Sequence, residues 1–268
     1  MALTLNKTGI TTGNTVEAYH VTQSIDAFAG IVAYDISLSG SFTVTGSMTN
    51  GTSNLASGIS SHAEGNLTRA TGLYSHAEGT GSLASGVASH AEGFQTTASG
   101  NFSLATGFKT KALGQGSFAG GVQTIANGPY AFSLGDSTFA GTSAFAAGSN
   151  TSASGQNSIA LGDTSVSLGL YSFAHGGGTI ASGSWQFVIG RYNKQGDDTS
   201  LFIVGNGILG TPKDAFKVRM SGSIVLPTTQ SVAPSWTGSD GEIIPATVGG
   251  VHRLYMWMAG AWRSSSFA

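Results

Sequence analysis

The chain has 268 residues, of which 41 are glycine and none cysteine, with a net charge of −2 and only 9% charged residues. So few charges leave no basic footprint for nucleic acid, and the missing cysteines exclude disulfides, iron–sulfur clusters and thiolate zinc sites. No apolar run is long enough to span a bilayer, so no membrane insertion is expected.

Residues 1–50 precede any repeat. The first fourteen are polar and rich in Gly and Thr, and they lack the apolar run of a signal peptide. Asn14-Thr15-Val16-Glu17 has the form of a helix start, with Asn14 as cap and Glu17 three residues on. Ala18, Val21, Ile25 and Phe28 then share one helical stripe, with Val16 in its first turn. Gly30 ends the helix, and 31–39 and 41–47 read as two short strands around Gly40. One helix cannot bury its own stripe, so these side chains predict a partner surface.

Between 51 and 190 glycine falls on a seven-residue grid, from Gly58 to Gly135 and, after one dropped residue, from Gly141 to Gly190. Alanine stands two residues before nearly every glycine, and Ser or Thr four before it. The true period is fourteen: Ser61-His62-Ala63-Glu64-Gly65 recurs at 75–79 and 89–93, and a different half such as Thr68-Arg69-Ala70-Thr71-Gly72 lies between. A short fixed period is the signature of a stacked repeat. Alternation with period two predicts strands, and glycine every seventh residue argues against helices. The expected fold is all-β, a parallel solenoid of about ten coils with two five-residue strands each, roughly 48 Å long.

Ser/Thr and Ala share one side of each strand and the intervening residues share the other. The small set fits a narrow interior, so the other set faces outward. In the SHAEG-type half this outward set is Leu104, Phe118, Phe132, Leu134, Phe145, Ile159, Leu161, Phe173, Phe187 and Ile189. An apolar ladder of that length predicts a subunit interface. His62, Glu64, His76, Glu78, His90 and Glu92 continue the same face, and His–Glu hydrogen bonds between chains account for them better than a metal site, so no metal or other cofactor is expected. Glycoside cleavage needs two carboxylates flanking a cleft; outside the SHAEG copies the repeat holds only Asp136 and Asp163. No enzymatic activity is expected.

Residues 191–227 form a connector with a polar loop, a strand at 201–204 and a hairpin turning at Ser221-Gly222. Residues 228–268 hold a Pro/Gly linker and three strands turning at Gly249-Gly250 and Ala259-Gly260. Trp236, Arg253 and Tyr255 are the receptor candidates there, since binding hot spots favour Trp, Tyr and Arg.

Asn157-Ser158-Ile159-Ala160-Leu161-Gly162 resembles the NSVAIG motif of YadA-type heads of trimeric adhesins, and the SHAEG copies resemble those in similar heads of phage tail proteins. The resemblance implies a left-handed β-roll, three of which pack around an axis, with the outward ladder as trimer interface and the His/Glu residues as axial rings. Residues 14–28 resemble the N-terminal attachment segments of small phage tail proteins, which would dock Val16, Ala18, Val21, Ile25 and Phe28 on a virion baseplate or tail protein; a cap on the open strand edge is the other reading. The C-terminal strands faintly resemble the foldon of phage fibritin. Together these imply a trimeric, extracellular tail fibre or spike on a virion, binding a host cell-surface glycan or protein. A bacterial cell-surface adhesin head is the alternative.

Overall fold

In each half-repeat the pleat turns Ser/Thr and Ala to one side, and that side is the inside. Ala63, Ala70, Ala77 and their counterparts through Ala181 are fully buried, as are Thr68, Thr96 and Thr110. A computed structural model describes residues 3–4, 34–35, 47–226, 233–235, 237–239 and 242–266. The chain divides into two units, Met1–Thr45 and Gly46–Ala268. In the first, Leu3–Thr4 pairs in parallel with Tyr34–Asp35. The helix expected at 14–28, and with it Val16, Ala18, Val21, Ile25 and Phe28, lies outside the described residues.

The second unit is a parallel β-solenoid of about 11 turns, with no helix among the described residues. Each coil has one wide and one narrow strand, not the two equal strands expected. Wide strands such as His62–Asn66 and Phe118–Val122 have five residues, and narrow strands such as Arg69–Ala70 have two. The narrow strands form a ten-stranded sheet and the wide strands the bulk of a 14-stranded one. The narrow strand ends at its alanine because the next two backbone N–H groups compete for one carbonyl. Thr71 N and Gly72 N both donate to Ala84 O, at 2.8 and 3.3 Å, which pinches the backbone out of its ladder.

The glycines do different work in the two halves. Gly65 lies inside its strand with φ +113, and a Cβ on it would sit 2.0 Å from Gly79 O. Gly100 has no left-handed backbone, yet a Cβ there would sit 1.9 Å from Gly114 O. The tight turns are made instead by the second residue after each glycine, such as Leu67 (φ 57) and Tyr74 (φ 58). The dropped residue falls between Ala140 and Gly141, at a corner, so Phe132 still pairs with Phe145 and no column slips.

Most interior serine hydroxyls at the wide-strand entry are tied to the backbone, whereas the hydroxyls of Thr68, Thr110, Thr124 and Thr151 are buried without a partner. Ser75 Oγ donates to Gly72 O at 2.7 Å and Ser103 Oγ to Gly100 O at 2.6 Å. Where serine replaces the core alanine it finds another hydroxyl: Ser133 with Thr138 at 2.7 Å, and Ser167 with Ser172 at 2.6 Å. Each coil therefore buries little beyond two alanine methyls and, in most coils, one threonine methyl, each worth about 0.8 kcal/mol by area. So thin a core places weight on the ladder hydrogen bonds and on whatever covers the outer face.

The interior widens at the end, where Val188 and Ile203 take the alanine position and Gln186 the serine one. Ser200–Asn206 adds a last parallel wide strand, and Asp214–Arg219 with Ile224–Val225 turn back antiparallel. The polar end is closed by charge: Lys217 Nζ lies 2.9 Å from both Asp197 Oδ2 and Asp214 Oδ2, and Asp214 is only 1% exposed. Burial raises the Asp197 pKa, but hydrogen bonds from Lys217, Ser200 and Thr199 outweigh it and hold the carboxyl well below the ordinary range. Farther on, Ile243–Val248, Val251–Met258 and Ala261–Ser266 form an antiparallel meander.

Candidate functional site

Parallel pairing without slippage turns each outward position into a column. Along the wide sheet His62, His76, His90, Leu104, Phe118, Phe132, Phe145, Ile159, Phe173 and Phe187 lie in one column. Glu64, Glu78, Glu92, Leu134, Leu161 and Ile189 belong to the next. The aromatic rings stack along the column: Phe118 on Phe132 with centroids 4.7 Å apart, and Phe173 on Phe187 at 4.5 Å and 5°. Phe132, Leu134 and Phe187 remain 38–42% exposed, whereas Leu104, Phe118, Phe145, Ile159, Leu161, Phe173 and Ile189 are half-buried by their neighbours.

At the other end of the column the histidine rings follow the same geometry, His76 and His90 stacking at 4.6 Å. Within each coil His Nε2 stands 3.7–3.8 Å from its glutamate, beyond hydrogen-bond length. The Nε2 atoms of His62, His76 and His90 are buried without a hydrogen-bond partner, so one chain leaves this polar stretch incomplete. Among the described residues no group of three or more His, Cys, Asp or Glu is placed to hold a metal.

Burial, and then repulsion from His90 and His62, lowers the His76 pKa below the ordinary 6.5; Glu78 and Glu64 oppose the shift. A folded-state pKa lower than the unfolded one means that the unfolded chain takes up the proton first. The stability contributed by neutral His76 is thus complete above pH 6.5 and is lost as pH falls through that value toward the lower folded one. In an NMR titration His76 is expected to titrate below 6.5, and His90→Gln should move its midpoint upward. A midpoint indifferent to His90 would refute the coupling.

A third outward column escaped the sequence reading, which ended the strand at the SHAEG glycine. The strand runs one residue further, so Phe94, Phe108 and Val122 form a column of their own, each 41–42% exposed. Phe94 and Phe108 stack at 5.2 Å and 8°. Extending the alternation from His90 and Glu92 to Phe94 would have found it. Asp136 and Asp163 lie in this column two coils apart, separated by Ser149, and do not face each other across a cleft.

The turns that enter the wide strands carry Tyr74, Phe102, Tyr130, Tyr171 and Trp185, all with left-handed backbone and between 46% and 65% exposed. In the meander Tyr255 is only 8% exposed and packs with Ile244 and Ala246. Arg253 is half-buried, and Trp236 lies outside the described residues.

Residues 77–103 and 140–165 each match the YadA head domain repeat. No curated protein matches the chain. The matched segments fall among both the SHAEG-type and the apolar coils of one continuous solenoid, and the repeats and the solenoid together fit a YadA-like β-roll head.

Proposed function

We propose that the chain is the non-enzymatic, receptor-binding head of a homotrimeric adhesion protein, working outside the cell. The observation that carries this is the pair of adjacent columns on the wide sheet, with Phe132, Leu134 and Phe187 left in water by one chain and the Nε2 atoms of His62, His76 and His90 left without hydrogen-bond partners. Further copies of the same face would cover both stretches, and three is the number that the YadA resemblance implies. The His and Glu side chains then meet their counterparts between chains, and His–Glu hydrogen bonds complete the polar segment.

The SHAEG copies favour a tail fibre or spike of a phage or phage-like particle, docked through 14–28 on a baseplate or tail protein. The match of 77–103 and 140–165 to a YadA head repeat favours the second reading, a bacterial surface adhesin. Both readings assign the head the same work, and they differ in what carries it.

Purified protein, fluorescently labelled, should bind saturably to at least one member of a panel of bacterial and mammalian cells in flow cytometry. Dissociation to single chains should weaken that binding by about a hundredfold or more through lost avidity. Replacing 228–268 with an unrelated trimerisation tag separates recognition by the roll from recognition by the meander. No saturable binding to any cell would overturn the adhesion reading.

A further inference from the structure

The corner that leads into each wide strand carries one residue with left-handed backbone. Down the stack it is Ser60, Tyr74, Ala88, Phe102, Gly116, Tyr130, Ser143, Asn157, Tyr171 and Trp185, with φ between 50 and 62. Glycine and asparagine adopt this conformation at least cost, and the chain uses both of them here. Bulky aromatic residues adopt it at a penalty. Burial offsets only part of that penalty, since Tyr74, Phe102, Tyr130 and Trp185 are 61–65% exposed. An outlay of stability that packing returns only in part points to a function for the rings.

Their arrangement is regular. Tyr74, Phe102 and Tyr130 stand at every second coil, roughly 9.6 Å apart at the usual strand spacing. Small residues, Ala88 and Gly116, occupy the coils between them. The Tyr130 ring lies over Gly116, where a Cβ would come within 3.1 Å of Tyr130 Cδ1. The small residue lets the ring lie down against the solenoid and hold one orientation. Along this whole edge, from 57–61 to 182–186, no corner segment contains Asp, Glu, Lys, Arg or His. It offers exposed amides instead, at Asn101, Gln115 and Gln156. The opposite edge carries Lys109, Asp136, Asp163 and Arg191.

Flat apolar rings at a fixed interval, with amides between them and no charge, match an uncharged sugar chain. The C–H faces of pyranose rings stack on aromatic faces, and their hydroxyls bond to amides. A spacing of two coils is close to the advance of two sugar units in an extended chain. The corner segments themselves hold no cation for sialylated or uronate glycans to pair with, and the exposed Arg69 and Lys111 stand on the adjoining narrow strands. We propose that the Tyr74–Phe102–Tyr130 edge is a binding track for an uncharged, extended oligosaccharide lying along the solenoid axis. The proposal rests on the adhesion reading and names the ligand class of that head.

The test uses the full chain on an array of neutral hexasaccharides (cello-, xylo-, manno- and N-acetylchito-oligomers) printed beside sialylated and uronate oligomers. Wild type should bind at least one neutral class and none of the anionic ones. The triple variant Tyr74→Ser, Phe102→Ser, Tyr130→Ser should lose that signal by roughly tenfold or more. Serine already stands at this position in Ser60 and Ser143, so the variant should fold, with circular dichroism and sedimentation as checks. A blank array, a signal restricted to anionic glycans, or equal binding by the triple variant would each overturn the track. A triple variant with altered oligomeric state would do so as well, by showing that another copy of the chain covers this edge. Cell binding with a blank array would remove the track and leave the adhesion reading standing, whereas loss of both would remove the two together.

Discussion

Gly100→Ala is expected to melt about 10 °C or more below the unaltered chain, a loss above roughly 4 kcal/mol. The added Cβ would lie 1.9 Å from Gly114 O and 2.4 Å from Gly114 C. Both are backbone atoms, so no flexible side chain can swing aside. Relief requires the two coils to part, and that breaks the bonds joining them, among them Ser99 N to Ala112 O at 2.9 Å and Leu104 N to Ser117 O at 3.0 Å. In a solenoid each coil rests only on its neighbours, so a parted pair divides the stack. Gly177→Ala is the control: a Cβ there meets nothing within 4 Å, and its backbone is not left-handed. Thermal unfolding followed by far-UV circular dichroism separates the two. Equal melting of both variants with the unaltered chain would refute the steric role of the stacked glycines.

Phe132→Asp should leave the coil folded and abolish assembly. The ring stacks on Phe118 at 4.7 Å and meets Phe145 edge-on at 5.1 Å, yet Phe132 stays 38% exposed in one chain. An aspartate can be hydrated there as long as the chain is alone. In a trimer packed on this face three carboxylates would converge in a dry column, each costing several kcal/mol to desolvate. Phe173→Asp places the same charge beside Phe187 and should behave alike. Arg69→Asp changes an exposed residue of the narrow sheet and should leave assembly intact. Light scattering coupled to size exclusion reads the three directly. The same mass for all of them would mean that the wide sheet is not the interface.

Much of the roll was legible because its interior is chemically uniform. Ser75 and Ala77 could only be inside, and once they were, His76 and Glu78 could only be outside. Strand length was not legible. The two half-repeats share the same small residues, and what shortens one is a shared acceptor, Ala84 O, which no residue type announces. The Phe94–Phe108 column was lost for the same reason, since the glycine before it was taken to leave the strand and instead stays in it with φ +118 at Gly93. The charged closure of the roll was beyond reach as well: Asp197 and Lys217 are twenty residues apart with a buried strand between them, and only the last coil brings them to 2.9 Å. The burial of Tyr255 was not legible either, because aromatic residues mark both cores and binding sites, and composition does not separate the two.

Sedimentation equilibrium of the unaltered chain over a range of concentrations tests the central claim most directly. A head that buries the column running from His62 through Phe132 to Phe187 between copies should run as a single species of three times the 27.0 kDa chain mass. A species of 27.0 kDa that persists at the highest concentrations would mean that the ladder lies open to water, and it would contradict the account.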